Sequence, residues 1–143
     1  MNRTKHQNRR GRERRGAALV EFAMVAPVFF LFMVGAIEFG RAIMVQEVLT
    51  DASREGARVG ILDGSTTSDV TAAANSYLSA MNVSGTTVTV SPQNPGSSAS
   101  GTQVTVTVSV PYNSVSWVPA PWFLGGATLT ASTSMMRQST PPQ

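Results

Sequence analysis

The stretch "RRGAALVEFAMVAPVFFLFMVGAIEFG", residues 14–40, decides how this chain is organised. Two arginines and a glycine lead straight into an apolar run, and the segment from Phe22 to Ile37 carries no charge. Counted from Ala17 to Ile37, the run would be about 31 Å long as a helix, close to the thickness of a bilayer core. The stretch therefore predicts a transmembrane helix over about 17–37. One residue conflicts with that environment. Glu21 lies a few positions inside the run, and a carboxylate near the bilayer centre costs roughly 2.5–3.5 kcal/mol, so it normally has a partner or a role.

Upstream, Arg3, Lys5, Arg9, Arg10, Arg12, Arg14 and Arg15 against Glu13 leave a net +6 before residue 17. From Ala17 onward, four arginines face seven carboxylates, a net −3. The overall +3 and the pI near 10.2 thus describe the head of the chain alone. A basic head can bind nucleic acid, but Lys/Arg abutting an apolar run more often marks the cytoplasmic side of a span. We read residues 1–16 as a basic cytoplasmic leader without regular structure and expect no nucleic-acid partner. The charge asymmetry puts the C-terminal part outside the cytoplasmic (inner) membrane. A cleaved secretory signal is the rival reading; against it, no convincing small-x-small site separates the apolar run from Glu38. The chain has no cysteine, which excludes disulfides, thiol catalysis and a lipoprotein anchor.

Downstream, Val45, Val48, Leu49, Ala52, Gly56 and Val59 recur at spacings of three and four, one apolar helix stripe. Asp51/Arg54 and Glu55/Arg58 pair at i,i+3 on its polar side. "DGS" at 63–65 ends this helix, so a continuous helix over 17–62 would be ~69 Å long, and part of it projects beyond the membrane. A second helix begins near Ser68, expected as its N-cap, with Val70, Ala73, Ala74, Tyr77, Leu78 and Met81 on one face. The period then becomes two. "TTVTVS" (86–91), "QVTVTVSV" (103–110) and "ATLTASTSMM" (127–136) read as strands, joined by a flexible loop at 92–101 and a longer aromatic excursion at 111–126. The expected head, 63–143, is α+β: a small three-stranded antiparallel sheet whose valine face (Val104, Val106, Val108, Val110) is covered by helix. No charged residue occurs from Val70 to Met136. That suits an exported domain packing among copies or partners, and equally a compositional bias.

Glu21 acquires a meaning if the chain is cut between Gly16 and Ala17. Ala17 would then carry an α-ammonium, and Glu21 would be the fifth residue, about one helical turn away in depth, ~6 Å. A neighbour displaced by that amount could pair its ammonium with this carboxylate in a medium where ion pairing is strong. The bland alternative leaves Glu21 floating at the interface among the arginines. "GAALVEF" (16–22) resembles the cleavage motif of type IV prepilins, with a glycine before the cut, a glutamate fifth after it, then the aromatic Phe22. The wider stretch resembles the TadE-like minor pseudopilins of tight-adherence (Tad) pilus systems. It does so in the basic leader, in Pro27, in "IEFGR" (37–41), in "ASREGAR" (52–58) and in the ending "TASTSMMR". The resemblance implies a pilin-like fold, removal of the leader by a prepilin peptidase, and assembly with other pilin or pseudopilin subunits on an inner-membrane platform. It places Gly16 and Ala17 at the processing site and Glu21 and Phe22 in assembly. Glu38, Arg41, Arg54, Glu55 and Arg58 fall in its helix motifs. Major pilins of that system are very short, so the C-terminal domain favours a minor subunit that contributes to adhesion.

Other features admit plain readings. Pro27 removes one helical hydrogen bond and is either a tolerated membrane proline or an assembly feature. Glu38 and Arg41 are expected to mark the outer membrane boundary rather than to contact a partner. Trp117, Trp122 and Phe123 are expected to form a lid on the small sheet, the alternatives being a binding patch or an interfacial anchor. Asn82-Val83-Ser84 fits a glycosylation sequon by chance. His6 is the sole histidine and lies in the leader; neither a phosphate loop nor metal-ligand spacing occurs. We expect no enzyme and no cofactor. Two other functions compete with a pilin-like subunit: an uncleaved membrane-tethered binding domain and a secreted protein with an ordinary signal peptide.

Overall fold

A computed structural model describes residues 4–118 and 124–137, the side chains of residues 4–15 excepted. Helix α1 runs Thr4–Gly60 and helix α2 Thr67–Ala80. Strands β1 (Thr87–Ser91), β2 (Gln103–Pro111) and β3 (Thr128–Met136) form an antiparallel sheet in the order β1-β2-β3. The fold is α+β, with a long apolar N-terminal helix, a second helix and a three-stranded meander. Two compact units divide at residue 37: residues 1–37, and residues 38–143. The second unit therefore takes in the last part of α1 together with everything after it.

In the first unit, α1 starts at Thr4 and not near Ala17, which corrects the expectation of an irregular leader. Lys, Arg, Gln and Glu are good helix formers, and extending an existing helix avoids the cost of nucleation. Pro27 lies inside the helix without ending it. From Gly16 to Ile37 no residue is buried.

In the second unit, α1 lays Val45, Leu49, Ala52 and Ala57 into a core with Val106, Val108 and Val110 of β2 and Val70 and Leu78 of α2. All four inward valines of β2 are fully buried. The register sets Val104, Val106, Val108 and Val110 opposite Met135, Thr133, Ala131 and Leu129, so the period-two reading of both strands holds and helix covers the valine face. Two glycines one turn apart bring α1 close. A Cβ on Gly56 would lie 3.2 Å from Val106 and 3.4 Å from Val70, and one on Gly60 would lie 2.9 Å from Val104. Ser53 is a buried polar residue of that face, and its hydroxyl hydrogen-bonds Thr133 Oγ1 at 2.6 Å.

Three local expectations are corrected. The N-cap of α2 is Thr66, not Ser68: Thr66 accepts from the Asp69 amide, and the Asp69 carboxylate accepts from the Thr66 amide, a reciprocal capping box. Met81, expected on the buried face of α2, is exposed at the helix end. The 92–101 segment is docked rather than free. Pro95–Ser97 forms a 3-10 turn in which Pro95 and Gly96 are buried, and the Gly96 amide donates to Ser65 O at 3.0 Å. Arg137, just past β3, ties this region together through Ser98 O and the Asp63 carboxylate.

Candidate functional site

In the first unit, the sequence-singled residues Gly16, Ala17, Glu21, Phe22 and Pro27 are all exposed along α1. Gly16 has open space where a side chain would stand. Glu21 is thus presented outward, amid the exposed Leu19, Val20 and Phe22. Among the described residues, α1 is the one helix long and apolar enough to cross a membrane. None of its most apolar segment is buried. Apolar area of this extent is stable only when lipid or other apolar surface covers it. One such helix fits a single-pass membrane anchor.

In the second unit, Glu38 and Arg41, expected at the membrane boundary, make contacts within the head. Glu38 is 3% exposed; its Oε1 accepts from the Ser116 hydroxyl at 3.1 Å, and its carbonyl accepts from the Tyr112 hydroxyl at 2.7 Å. Arg41 Nε donates to Val115 O at 3.0 Å, and the guanidinium lies 4.8 Å from the centre of the Trp117 ring. A single turn of α1 thereby latches the segment that follows β2. Tyr112 is completely buried. Burial holds its hydroxyl above the ordinary phenol pKa, and the Glu38 charge adds to that shift. Trp117, expected as a lid on the sheet, is instead 66% exposed. Trp122 and Phe123 lie outside the described residues.

Arg54, Glu55 and Arg58 stay on the solvent side of α1. Arg54 pairs with Asp51 at 3.1 Å and Arg58 with Glu55 at 2.7 Å. The hydrogen bond from Arg58 lowers the Glu55 pKa, and the same bond raises that of Arg58. Exposed pairs of this kind contribute little to stability. They leave a hydrophilic stripe opposite the packed face. On that side, Gln46, Glu47, Thr50, Asp51 and Arg54 line a shallow depression.

Sequence reasoning missed Tyr112 and Ser116, the other half of the latch. The only local signal was an aromatic directly after a strand, because their partners stand 74 and 78 positions away. Among the described residues, no cluster of three or more His, Asp or Glu side chains is placed to hold a metal. What the arrangement offers is surface: in the first unit an uncovered apolar helix bearing a carboxylate, and in the second a small domain whose own α1 segment is latched to the residues after β2. Residues 16–58 match the family model described as TadE-like protein. The match suggests a pilin-like protein associated with the Tad pilus, and with it partners from the pilus system in general. Neither a curated protein nor a solved structure matches the chain.

Proposed function

We propose that this chain, TadE-like over residues 16–58, is a minor pilin-like structural subunit of a Tad-type pilus or secretion apparatus. A prepilin peptidase removes the basic leader between Gly16 and Ala17. The mature subunit keeps α1 in the inner membrane with its C-terminal domain outside the cytoplasm. From there it joins other pilin or pseudopilin subunits on the assembly platform and contributes to surface adhesion. The observation that carries this reading is the order of residues at the start of the apolar helix: basic cluster, Gly16, Ala17, then Glu21 and Phe22. Glycine offers no side chain to obstruct a tight protease subsite, and loss of the leader deletes the charge that holds the chain at the cytoplasmic face. The uncovered apolar surface of α1 supports the reading too, since neighbouring helices can replace lipid along it.

The mass of the mature N-terminus tests the proposal. We expect a polypeptide beginning at Ala17, and a Gly16→Leu variant that stays full length in the membrane. A chain that keeps Met1 would identify an uncleaved tethered domain. One beginning beyond about residue 37 would identify a secreted protein with an ordinary signal.

A further inference from the structure

We propose that Trp117, Arg41 and Met44 form a contact with the phospholipid headgroup layer, which seats the second unit on the membrane that α1 enters. The inference rests on the anchor function proposed above and goes beyond it by assigning a lipid-binding surface to the head. The first argument is covalent continuity. Ile37 closes the apolar run and Glu38 is the next residue. Any group latched to residues 38–41 is held near the point where the span meets water, whatever the angle between the units. Trp117 is latched in that way: Arg41 lies against its ring at 4.8 Å, Arg41 Nε binds Val115 O and Ser116 binds the buried Glu38 carboxylate.

The second argument is chemical. An indole with two thirds of its surface exposed finds little compensation in water, whereas at a membrane interface the ring and its N–H are both accommodated. Arg41 is the first Lys or Arg after Arg15, and a guanidinium is suited to phosphate. Its Nη1 also donates to Met44 Sδ at 3.4 Å, so Trp117, Arg41 and Met44 form one continuous surface. Phe39, Ile43 and Met44 are exposed as well, so apolar character persists on the outer side of α1 past the end of the span. Among the described residues of the second unit, Leu62, Met81 and Met136 are exposed too; scattered surface hydrophobics need no explanation of their own. Continuity with the span selects lipid over a protein partner as the occupant.

Fluorescence of the full chain in vesicles of phosphatidylcholine and phosphatidylglycerol tests the contact. The chain has two tryptophans, so Trp122→Phe leaves Trp117 as sole reporter; the difference between wild type and Trp117→Phe gives the same signal without that change. We expect Trp117 emission shifted to the blue of a solvated indole and protected from aqueous acrylamide. Lipids brominated near the headgroup should quench it several-fold more than lipids brominated at the chain ends. Phe30→Trp, with both native tryptophans changed to Phe, reports on the span and should show the opposite depth preference. If Phe30→Trp is quenched from the chain ends while Trp117 remains open to acrylamide and insensitive to bromolipid, the anchor stands and the headgroup contact is wrong. Quenching at neither position overturns both.

Discussion

At Gly60, three elements compete for the volume of one methyl group. A Cβ there would meet Val104 Cγ1 at 2.9 Å and Val70 Cγ2 at 3.3 Å, and neither valine can rotate freely in a filled core. Glycine is intrinsically poor in a helix, by about 1 kcal/mol relative to alanine, so Gly60→Ala on a free helix would stabilise. Here overpacking, typically costing about 1–3 kcal/mol, opposes that gain. We predict a net loss for Gly60→Ala, read as a lower midpoint of denaturant unfolding of the second unit within the full chain in detergent. Gly56→Ala, with contacts of 3.2 and 3.4 Å, should lose less. A rise in midpoint for Gly60→Ala would show that α1 is not pressed against the β2 valines. In the sequence Gly56 read as one more member of an apolar stripe, and Gly60 was not singled out. That a glycine marks close approach is a property of its neighbours, and those lie on elements distant in the chain.

At the scale of the element, α2 depends on its cap. Thr66 and Asp69 satisfy two amides at the start of the helix, and removing such an N-cap side chain costs about 1 kcal/mol. Hydrogen bonds from the Thr66 amide and hydroxyl hold the Asp69 pKa below the ordinary carboxylate value. A carboxylate depressed in the folded state binds protons more readily when unfolded. Its contribution is therefore complete above the ordinary carboxylate range and is lost as pH falls through the lowered value. We predict that Asp69→Asn lowers the unfolding midpoint at neutral pH and that its deficit relative to wild type shrinks in acid; a deficit constant with pH would leave the carboxylate's charge without a part in the cap. The elements were largely legible in the sequence. Val104 to Val110 alternate without fault, and Leu129, Ala131 and Met135 meet them across the sheet, since side-chain direction in a strand follows from sequence parity alone. The cap was misplaced by two positions because Ser68 and Thr66 are both good capping residues. Only the reciprocal partner, Asp69 at N3, distinguishes them. The latch of Tyr112 and Ser116 onto Glu38 had no periodic signature at all, and neither did the docking of Gly96 on Ser65.

At the scale of the whole molecule, the charge imbalance and the Glu21 motif lead to two predictions. We predict that the net +6 before the span holds the leader in the cytoplasm, so that a reporter active only after export, fused behind Gln143, is active. Activity from a reporter confined to the cytoplasm would reverse the topology. Glu21 tests assembly. It is exposed on an apolar helix, at the fifth position after the proposed cut, and Ala17 and Glu21 are separated along the axis by ~6 Å. In the proposed assembly, a neighbouring subunit shifted by that amount would set its new ammonium against this carboxylate. Glu21→Gln keeps the size and the polarity of the side chain and removes its charge. Insertion should be no worse, since a carboxylate in a span is costly, and cleavage should proceed, since Gly16 and Ala17 are unchanged. The neighbour's ammonium, however, loses its partner in a poorly solvated site. Deleting one member of a buried ion pair costs about 3–5 kcal/mol, far more than an interfacial glutamate would yield. We predict a variant of mature mass, stable in the membrane, that no longer co-purifies with pilin partners. Incorporation at the wild-type level would mean that Glu21 is an interfacial residue with no ion pair to lose.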